Sequence, residues 1–380
     1  MAKLGDIATI QSGGTPARSI AEYWEDGTIP WVKISDIKSK HLNQTEEMIT
    51  EAGLENSSAK IFPKGTILYT IFATLGETSI LEINAATNQA IAGISITDSR
   101  VLPDYLYYYL LSQKIHVQKI GRGVAQNNIN MKLLRDFDVP LPSKEAQLNI
   151  IEQLNRVTEL LFLRKQQLTK LDELIKARFV EMFGNAETTS QAQTKRLEEC
   201  CISISGGNTP SMQHPEYYGG KIPFIKSGDV KSDHISVSSL TLTQIALNET
   251  TVKMLPKGTL IVVIRSAALL KEFRIGILDV DAVINQDLKA LQTSDDVLPV
   301  YLMWAIKMKS QVLLSRVQTM LTSHIRMEDL LDLKVQIPPL SLQNQFAAFV
   351  EEVDKSKVEV QKALDQTQLL FDSLMQQYFG

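Results

Sequence analysis

The 380-residue sequence has little cysteine and no long apolar run. Its two cysteines, Cys200 and Cys201, are adjacent and lack the spacing of metal ligands. We therefore expect two reduced core residues in a cytosolic protein. No apolar stretch approaches the roughly 18 residues that would span a bilayer, and the N-terminus carries no signal-peptide pattern. These absences predict a cytoplasmic protein that makes no membrane contact.

The sequence also lacks a basic excess. It has 39 Lys and Arg residues against 43 Asp and Glu residues, which gives a formal net charge of −4. A DNA-binding domain usually carries a surplus of basic residues. Composition alone therefore gives no support to nucleic-acid binding, and such a function needs evidence from elsewhere in the sequence.

Catalytic motifs are absent as well. The sequence contains no G-x-x-x-x-G-K-[ST] loop, no dinucleotide fingerprint, no H-E-x-x-H site and no Asn-Pro-Pro or Asp-Pro-Pro of an amino-methyltransferase. We predict no catalytic residues, no metal site and no cofactor in this chain. A loose nuclease-like set in the second half is not repeated in the first, since Asp279, Asp287 and Lys289 align with Glu82, Ala90 and Ala92. The histidines do not cluster; they are His41, His116, His214, His234 and His324.

What the sequence does contain is a long internal repeat. Residues 12–16 read S-G-G-T-P and residues 205–210 read S-G-G-N-T-P. A Gly-Gly pair before Thr-Pro is a turn signal, because glycine allows positive φ. Further motifs then align at nearly the same offset: I-P-W-V-K with I-P-F-I-K, D-I-K-S with D-V-K-S, P-K-G-T twice, N-Q twice, and L-P or I-P followed by a Gln. A repeat this long exceeds a solenoid unit, so each copy is domain-sized.

Each copy has a mixed first part and a helical second part. Short apolar runs between Gly, Pro and Asn, such as residues 66–71 and 259–264, favour strands. Residues 102–118 and 298–316 have the apolar face of a helix. We predict an α+β fold in which two globular α/β domains, 1–143 and 190–340, alternate with two long helices, 144–185 and 341–380.

The two helical tails follow a heptad pattern. Alternating 4,3 spacing of apolar residues is the a/d seam of a coiled coil, and about 40 residues at 1.5 Å each give a helix on the order of 60 Å long. Two separate amphipathic helices, each lying on its own domain, are the alternative, but the shared register favours pairing of the two. The predicted seam comprises Ile150, Leu154, Val157, Leu161, Leu168, Leu171, Ile175, Phe346, Val350, Val353, Val360, Leu364, Phe371 and Leu374.

Antiparallel pairing of two like helices within one chain would create a two-fold axis across the coil. The domains would then lie at opposite ends of a pseudo-two-fold symmetric molecule. Duplex DNA has dyads that match two-fold proteins. Because the two domains differ in many residues, they would read two different half-sites, and the coil would act as a ruler for the gap between them.

Polar residues shortly before each long helix are candidate base readers. Residues 121–130 read G-R-G-V-A-Q-N-N-I-N, and the matching region of the second copy ends T-S-H-I-R at 322–326. Amide and guanidinium groups read base edges with two hydrogen bonds. An ordinary solvated loop is the alternative. The candidates are Arg122, Gln126, Asn128 and Asn130 in the first copy, and Thr322, His324 and Arg326 in the second.

The repeated motifs supply further candidate DNA contacts. Lys33 and Lys226 follow the I-P runs and could bind phosphate, although solvated strand ends are as good an interpretation. Asn88-Gln89 and Asn285-Gln286 could contact DNA or act as turn residues that hold the backbone. The remaining candidates are Thr15, Ser35, Thr209 and Arg265, of which Arg265 aligns with Phe72.

This ordered, duplicated set resembles the specificity (S) subunits of type I restriction–modification systems, over essentially the whole chain. The resemblance is carried by the S-G-G turns, I-P-W-V-K-I-S-D-I at 29–37 with I-P-F-I-K-S-G-D-V at 222–230, the P-K-G-T and N-Q pairs, and the L-P or I-P-P stretch that leads through a Gln into a long helix. Each motif is weak alone, whereas the duplicated order is specific. Family members often carry a basic residue after K-G-T, which Arg265 retains and Phe72 does not.

The resemblance implies two target-recognition domains joined by two spacer helices, with no catalysis in the chain itself. Such subunits recruit two methyltransferase (M) subunits, and the restriction (R) subunit joins through M. Double-stranded DNA is the ligand, a bipartite target with a nonspecific spacer, and each domain reads one half from the major groove. S-adenosylmethionine, ATP and Mg²⁺ are expected on the partner subunits, where adenine N6 is methylated.

The charge of each domain modifies this expectation. Residues 1–143 carry 13 basic and 15 acidic side chains, and residues 190–340 carry 16 and 15. Salt-dependent affinity scales with the number of phosphates neutralised, so we expect weak DNA binding by the isolated chain and phosphate contacts from M. The alternatives are the specificity subunit of a type II system with fused methylase and nuclease, a coiled-coil scaffold without a DNA role, and an enzyme in its own right.

Overall fold

A computed structural model describes residues 1–122, 128–184, 193–319 and 323–380. The chain divides into two compact units, one made of residues 1–165 and 362–380 and the other of residues 166–361. Each unit contains one mixed α/β head and part of both long helices. The predicted α+β fold class, with two heads alternating with two long helices, is confirmed.

The first head is built on two sheets and a two-stranded ribbon within its described residues. The five-stranded sheet is antiparallel except for its last pair. In sheet order its strands are Ala8–Ser12, Ile91–Ile96, Ile67–Thr70, Thr78–Leu81 and His41–Leu42. The four-stranded sheet contains Glu47–Ile49, Ile29–Val32, Ala85–Thr87 and Ile61–Phe62, and the ribbon pairs Ala2–Lys3 with Asp138–Val139.

The second head repeats this strand order. Its five-stranded sheet contains Cys201–Gly206, Leu288–Thr293, Leu260–Val263, Ile275–Leu278 and His234–Ile235, again with one parallel pair at the end. A three-stranded sheet contains Leu240–Leu242, Tyr218–Ile225 and Val283–Ile284, and the ribbon pairs Gln193–Arg196 with Lys334–Ile337. An isolated bridge between Leu255 and Ala282 stands where the first head has its fourth strand.

The P-K-G-T motif starts the central strand of each head. Gly65 and Gly258 adopt φ of +89° and +87°, a region that glycine enters without the steric cost of a Cβ. Their backbone N–H groups donate to Leu81 O at 2.7 Å and Leu278 O at 2.8 Å. The turn therefore aligns the central strand with its neighbour in both heads.

Helices flank the sheets in both heads. The predicted single helices at 102–118 and 298–316 are each two helices, because the backbone N–H groups of Gln113 and Lys309 donate to the carbonyls three residues earlier and close the first helix. The α-helices of the first unit and its linker are Leu4–Ile7, Glu51–Glu55, Pro103–Ser112, Lys114–Arg122, Met131–Arg135 and Lys144–Phe183. Those that follow are Gln244–Glu249, Pro299–Met308, Ser310–Thr319, Met327–Leu331 and Leu340–Phe379.

In the first unit, the start of the first long helix packs against the end of the second. The hydroxyl of Tyr378 donates to Gln153 Oε1 at 2.8 Å. The last helical turn also completes the core of the head, since the ring of Phe379 lies 5.4 Å from that of Tyr105 and 6.1 Å from that of Tyr109. The first head therefore depends on residues at the far end of the sequence.

In the second unit, the end of the first long helix packs against the start of the second. The rings of Phe183 and Phe346 are 5.6 Å apart, and Lys357 Nζ lies 2.6 Å from Asp172 Oδ1. Residues near the end of the first helix therefore contact residues near the start of the second, so the two helices run antiparallel. The predicted antiparallel pairing is confirmed within this unit.

The predicted seam residues are all buried or half-buried. Eight of them are buried: Leu154, Val157, Leu161, Ile175, Phe346, Val350, Val353 and Val360. The other six are half-buried: Ile150, Leu168, Leu171, Leu364, Phe371 and Leu374.

The repeated glutamine at the start of each long helix ties that helix to its head. Gln147 is fully buried; its Oε1 accepts from Leu102 N at 3.0 Å, and its Nε2 donates to two carbonyls, those of Arg100 and Pro142. Gln343 makes the same three bonds, to Leu298 N and to the carbonyls of Asp296 and Pro338. One buried amide thereby satisfies backbone groups from two segments.

Both cysteines are free thiols of the second head: Cys200 is buried in its core and Cys201 is half-buried against that core. Burial raises the pKa of Cys200 to about 11 and that of Cys201 to about 12. Both therefore remain protonated thiols near neutral pH, as expected of structural cysteines. Among the described residues, no helix combines the length and the apolar character that a membrane span needs.

Candidate nucleic-acid interface

Backbone hydrogen bonds bring the predicted segments of the first head to one edge of its sheets. These segments are distant in sequence, but each donates an N–H to the next within 3.1 Å. The bonds run from Ile129 to Ile71 O, from Ile71 to Ala90 O, from Gly14 to Thr87 O and from Asn88 to Val32 O. The S-G-G-T-P turn, the N-Q turn, the end of the I-P strand and the polar loop are therefore neighbours.

The second head assembles the same edge. Ile325 donates to Ile264 O at 2.8 Å, Ile264 to Asp287 O at 2.9 Å, and Asn285 to Ile225 O at 3.1 Å. Motifs that are equivalent in the sequence repeat are therefore neighbours in both heads. We call this region of each head the motif edge.

The S-G-G turn meets the N-Q turn through a side-chain hydrogen bond in both heads. The hydroxyl of Thr15 donates to Gln89 Oε1, and that of Thr209 donates to Gln286 Oε1. Both glutamines are exposed. Two of the predicted DNA contacts in each head therefore form a pair at the surface.

The glycines of this turn are needed for close approach and not for positive φ, which corrects the sequence interpretation. Neither Gly13 nor Gly207 has a left-handed φ. A Cβ on Gly13 would lie 2.1 Å from Thr87 Oγ1, and one on Gly207 would lie 2.0 Å from Ile284 O. The turn can pack onto the neighbouring strand only where no side chain intervenes.

The asparagines of the N-Q pairs stabilise their own turns. Asn88 Oδ1 accepts from Ala90 N at 3.1 Å. Asn285 is 6% exposed; its Nδ2 donates to Asp287 Oδ2 at 2.9 Å, and its Oδ1 accepts from Asp287 N at 3.3 Å. These contacts favour the turn interpretation for both asparagines and leave the glutamines as the outward-facing members of each pair.

The lysines after the I-P strands occupy equivalent positions but have different surroundings. Their backbone N–H groups donate to Asp36 Oδ2 at 2.8 Å and to Asp229 Oδ2 at 2.9 Å. Lys33 Nζ also lies 2.8 Å from Glu47 and 3.0 Å from Glu46, whereas no ion pair involves Lys226 among the described residues. Ser35 is exposed in the 3₁₀ helix Ile34–Asp36.

The polar loop of each head pairs with the second residue after the central strand. Phe72 and Asn128 form an isolated antiparallel bridge, and Arg265 and His324 form the same bridge in the second head. Phe72 is 45% exposed, and Arg265 is exposed with a guanidinium 3.9 Å from Asp287. A position where the heads differ in chemistry, Phe72 against Arg265, therefore lies within the motif edge.

Two other loop candidates start the following short helix. Asn130 caps it, since Asn130 Oδ1 accepts from Leu133 N at 2.8 Å. Arg326 stands at the equivalent position, and its guanidinium Nε donates to Asp329 Oδ2 at 2.9 Å. Arg122 ends the helix Lys114–Arg122. The predicted contacts Gln126 and Thr322 lie outside the described residues.

The family follows from a comparison with known proteins. The family model described as "Type I restriction modification DNA specificity domain" matches residues 1–173 and 189–367, one match for each copy of the repeat. The chain belongs to the type I restriction modification DNA specificity family.

Named relatives of this specificity family agree. The chain is 26% identical to the type I restriction enzyme MjaIX specificity subunit of Methanocaldococcus jannaschii, over 98% of this chain and 90% of the relative. It is 29% identical to the EcoR124I/EcoR124II specificity subunit of Escherichia coli, over 40% of this chain and 39% of that protein.

Solved structures share the fold of this specificity protein. The S subunit of a type I restriction-modification system from M. genitalium matches with a TM-score of 0.56 and 16% identity, covering 100% of this chain and 95% of that one. A chain from a structure on complex assembly and conformational transition of the type I R-M system matches with a TM-score of 0.57 and 18% identity, covering 100% and 96%.

Sequence reasoning missed the acidic residues at the motif edge of the first head. Glu46 and Glu47 bind Lys33, and Glu47 also binds Arg18, whose guanidinium lies 3.7 Å from the centre of the Trp24 ring. The aligned residues of the second copy are Ser239 and Leu240. The sequence shows this difference between the two copies. Its significance depends on the structure, which places the two carboxylates beside Lys33.

The two aspartates of the loose nuclease-like set, Asp279 and Asp287, have different partners in this specificity protein. Asp279 Oδ1 lies 3.0 Å from His234 Nδ1, whereas Asp287 binds the side chain of Asn285. In the part of the chain that the structure describes, no group of three or more His, Cys, Asp or Glu residues is arranged to hold a metal ion.

Proposed function

We propose that this chain is the DNA-recognition subunit of a type I restriction–modification complex, in which each head reads one half of a bipartite target. The observation that carries the proposal is that the two motif edges share one backbone framework yet differ at their centre. The bridge pair is Phe72 with Asn128 in one head and Arg265 with His324 in the other. Two readers of different sequences need such a common frame with different side chains.

Base readout falls to the exposed and half-buried polar groups of each motif edge. Gln89 and Asn128 present amides in the first head, and Gln286, Arg265 and His324 present polar or charged groups in the second. Amides pair with adenine edges and guanidinium groups with guanine edges in the major groove, at about 1–3 kcal/mol of discrimination for each good bidentate pair. The other loop candidates, Arg122, Gln126 and Thr322, belong to the same segments of the sequence.

The long helices serve as spacer and docking surface in this proposal. Their outer faces carry exposed apolar side chains, including Phe162 at 59% and Leu163 at 48% on the first helix and Leu369 at 69% on the second. Neighbouring exposed apolar side chains, as at Leu160, Phe162 and Leu163, are typical of a surface that a protein partner covers. We assign these faces to two M subunits, through which the R subunit joins.

Catalysis lies outside the chain in this proposal. S-adenosylmethionine would be bound by the M subunits, and ATP and Mg²⁺ by the partner subunits as well. The near-neutral charge of each head supports weak DNA binding by the isolated chain, because nonspecific affinity depends on cations that neutralise phosphates. The partner subunits would supply many of those cations.

The direct test is methylation-sensitive sequencing of DNA modified by this chain together with its cognate M subunit. We expect adenine methylation at one bipartite sequence, and tight specific DNA binding only by the complex. Methylation without a defined bipartite target, or nanomolar sequence-specific binding by the chain alone, would contradict the proposal.

A further inference from the structure

The two heads hold an equivalent lysine in the same backbone setting. Lys33 and Lys226 each follow an I-P strand, and each donates its backbone N–H to an aspartate three residues on. The strand register is also the same, since Trp31 pairs with Glu47 as Phe224 pairs with Leu240. Residues 46 and 47 of the first head therefore correspond in space to residues 239 and 240 of the second.

In the first head, these positions are carboxylates that bind the lysine. Lys33 Nζ lies 2.8 Å from Glu47 Oε1 and 3.0 Å from Glu46 Oε2, and these contacts raise the pKa of Lys33. Glu47 also binds Arg18, and Glu46 reaches Lys38 at 3.4 Å. Two carboxylates thus form ion pairs with three cations, Lys33, Arg18 and Lys38.

In the second head, the carboxylates are replaced by Ser239 and Leu240. Within the described residues no ion pair joins Lys226, and the backbone N–H of Ser239 instead occupies the second oxygen of Asp229 at 3.1 Å. Arg265 adds an exposed cation where the first head has Phe72, and it lies 3.9 Å from Asp287, where the first head has Ala90. The difference in charge between the heads therefore comes from the loss of the two carboxylates. The motif edge of the second head is therefore the more electropositive of the two.

We propose that Glu46 and Glu47 shield Lys33 and Arg18 from DNA phosphates, so that the second head supplies the stronger phosphate contact and the first head depends on base readout. This inference rests on the proposed function. A phosphate competes poorly for a lysine that two carboxylates already hold, whereas Lys226 meets no such competition. The two halves of the target should consequently differ in the salt dependence of their contacts.

The test exchanges the two residues between the heads. In the complex with the cognate M subunit, the variant E46S/E47L should steepen the slope of log Kobs against log salt by about 0.9 for each additional phosphate that the unshielded cations neutralise. The reciprocal variant S239E/L240E should make the slope shallower by a similar amount. Binding is measured on a duplex that contains the complete target, with hydroxyl-radical footprinting to locate the change in one half.

A charge-matched control separates shielding from general electrostatics. The variant E51Q/E55Q removes two exposed carboxylates from the short helix Glu51–Glu55 of the same head. If E46S/E47L changes the slope no more than this control and S239E/L240E leaves it unchanged, the shielding proposal is wrong. If the wild-type complex itself does not bind its target specifically, the proposed function is contradicted instead. Because the two exchanges lie in different heads, misfolding of one variant leaves the other as a test.

Discussion

At the scale of single residues, the motif edge depends on side chains with two different duties. Thr15 and Asn88 hold the edge together, Gln89 accepts the bond from Thr15 and is also exposed for readout, and Asn128 and its counterpart His324 stand where the heads differ. Glycine has a third duty, since Gly13 lets two segments touch. Substitutions should therefore separate into those that damage the frame and those that alter only what is read.

Replacing Gly13 with alanine should destabilise the first head. The new Cβ would lie 2.1 Å from Thr87 Oγ1 and 2.2 Å from Thr87 O, and overpacking of this kind typically costs about 1–3 kcal/mol. Urea unfolding measures the loss. Gly228→Ala is the control, because nothing lies within 4 Å of its Cβ position; equal stability of the two variants would argue against the close-approach explanation.

Alanine substitutions at Gln126 and Asn128 should relax recognition of one half-site only. The expected loss is about 1–3 kcal/mol of base discrimination for each bidentate contact removed. Methylation-sensitive sequencing with the cognate M subunit reads both halves at once. His324→Ala is the matched variant in the second head and should relax the other half. Unchanged methylation specificity at both halves would show that this loop does not read bases.

At the scale of secondary-structure elements, the junctions between heads and helices are polar and specific. In the first unit a buried glutamine, Gln147, ties the long helix to the segment before the helix Pro103–Ser112. In the second unit His234 adds another link, since its Nε2 lies 3.3 Å from Asp354 on the second long helix. Orientation of each helix on its head therefore rests on directional bonds as well as on apolar packing.

Replacing Gln147 with leucine should destabilise the first unit. The change leaves Leu102 N and two carbonyls without their partner, and each buried unsatisfied group costs about 1–3 kcal/mol. Urea unfolding should show a lower free energy of unfolding. Gln368→Leu is a fair comparison, because Gln368 is exposed and its side chain donates to Asp372, four residues on along the same helix. If the Gln147→Leu and Gln368→Leu variants are equally stable, the buried side chain of Gln147 does not stabilise the junction between helix and head.

The His234 link should make the second unit sensitive to alkaline pH. Hydrogen bonding to Asp354, with a further bond to Asp279, raises the pKa of His234 from 6.5 to about 9. Because the folded-state pKa is the higher one, this contribution to stability is complete below about pH 6.5 and is lost as the pH rises through about 9.

The pH dependence can be measured by urea unfolding between pH 6 and pH 10. A decline in the free energy of unfolding across this window should be smaller in the variant H234Q than in the wild type. H41Q removes the aligned histidine of the first head and should leave the decline in place. If H234Q and the wild type decline equally, the link contributes nothing to this dependence.

At the scale of the whole molecule, one chain builds two similar units from interleaved segments. The first unit takes residues 1–165 and 362–380, and the second takes residues 166–361. Each unit therefore contains parts of both long helices, which pack antiparallel within it. Family membership assigns these repeated units to DNA specificity.

If the helices set the distance between half-sites, their length should set the spacer. One heptad adds about 10 Å of helix at 1.5 Å per residue, close to three base pairs of duplex. Inserting one heptad into either long helix should alter the spacer or abolish recognition, and removing one heptad from both should shorten the spacer. Methylation-sensitive sequencing measures the spacing directly, and an unchanged spacer would contradict the ruler role.

Much of this protein was determined by the sequence alone. Repeated motifs predicted two heads, and 4,3 spacing predicted the two paired helices, because heptad periodicity and turn chemistry are local properties. The sequence pattern does not predict the break within 102–118, because the break depends on a local backbone hydrogen bond. There the N–H of Gln113 donates to Leu110 O and ends the first helix.

Only the tertiary structure decided which polar groups meet. Thr15 and Gln89 are 74 residues apart in sequence, and the two carboxylates beside Lys33 come from a separate segment of the chain. Such contacts depend on which distant strands become neighbours in a sheet, as Ala8–Ser12 and Ile91–Ile96 do, and no short sequence motif encodes that choice. The same reason explains why the sequence suggests positive φ at the Gly-Gly motif where close approach is the actual need: the strand that Gly13 touches lies more than seventy residues away.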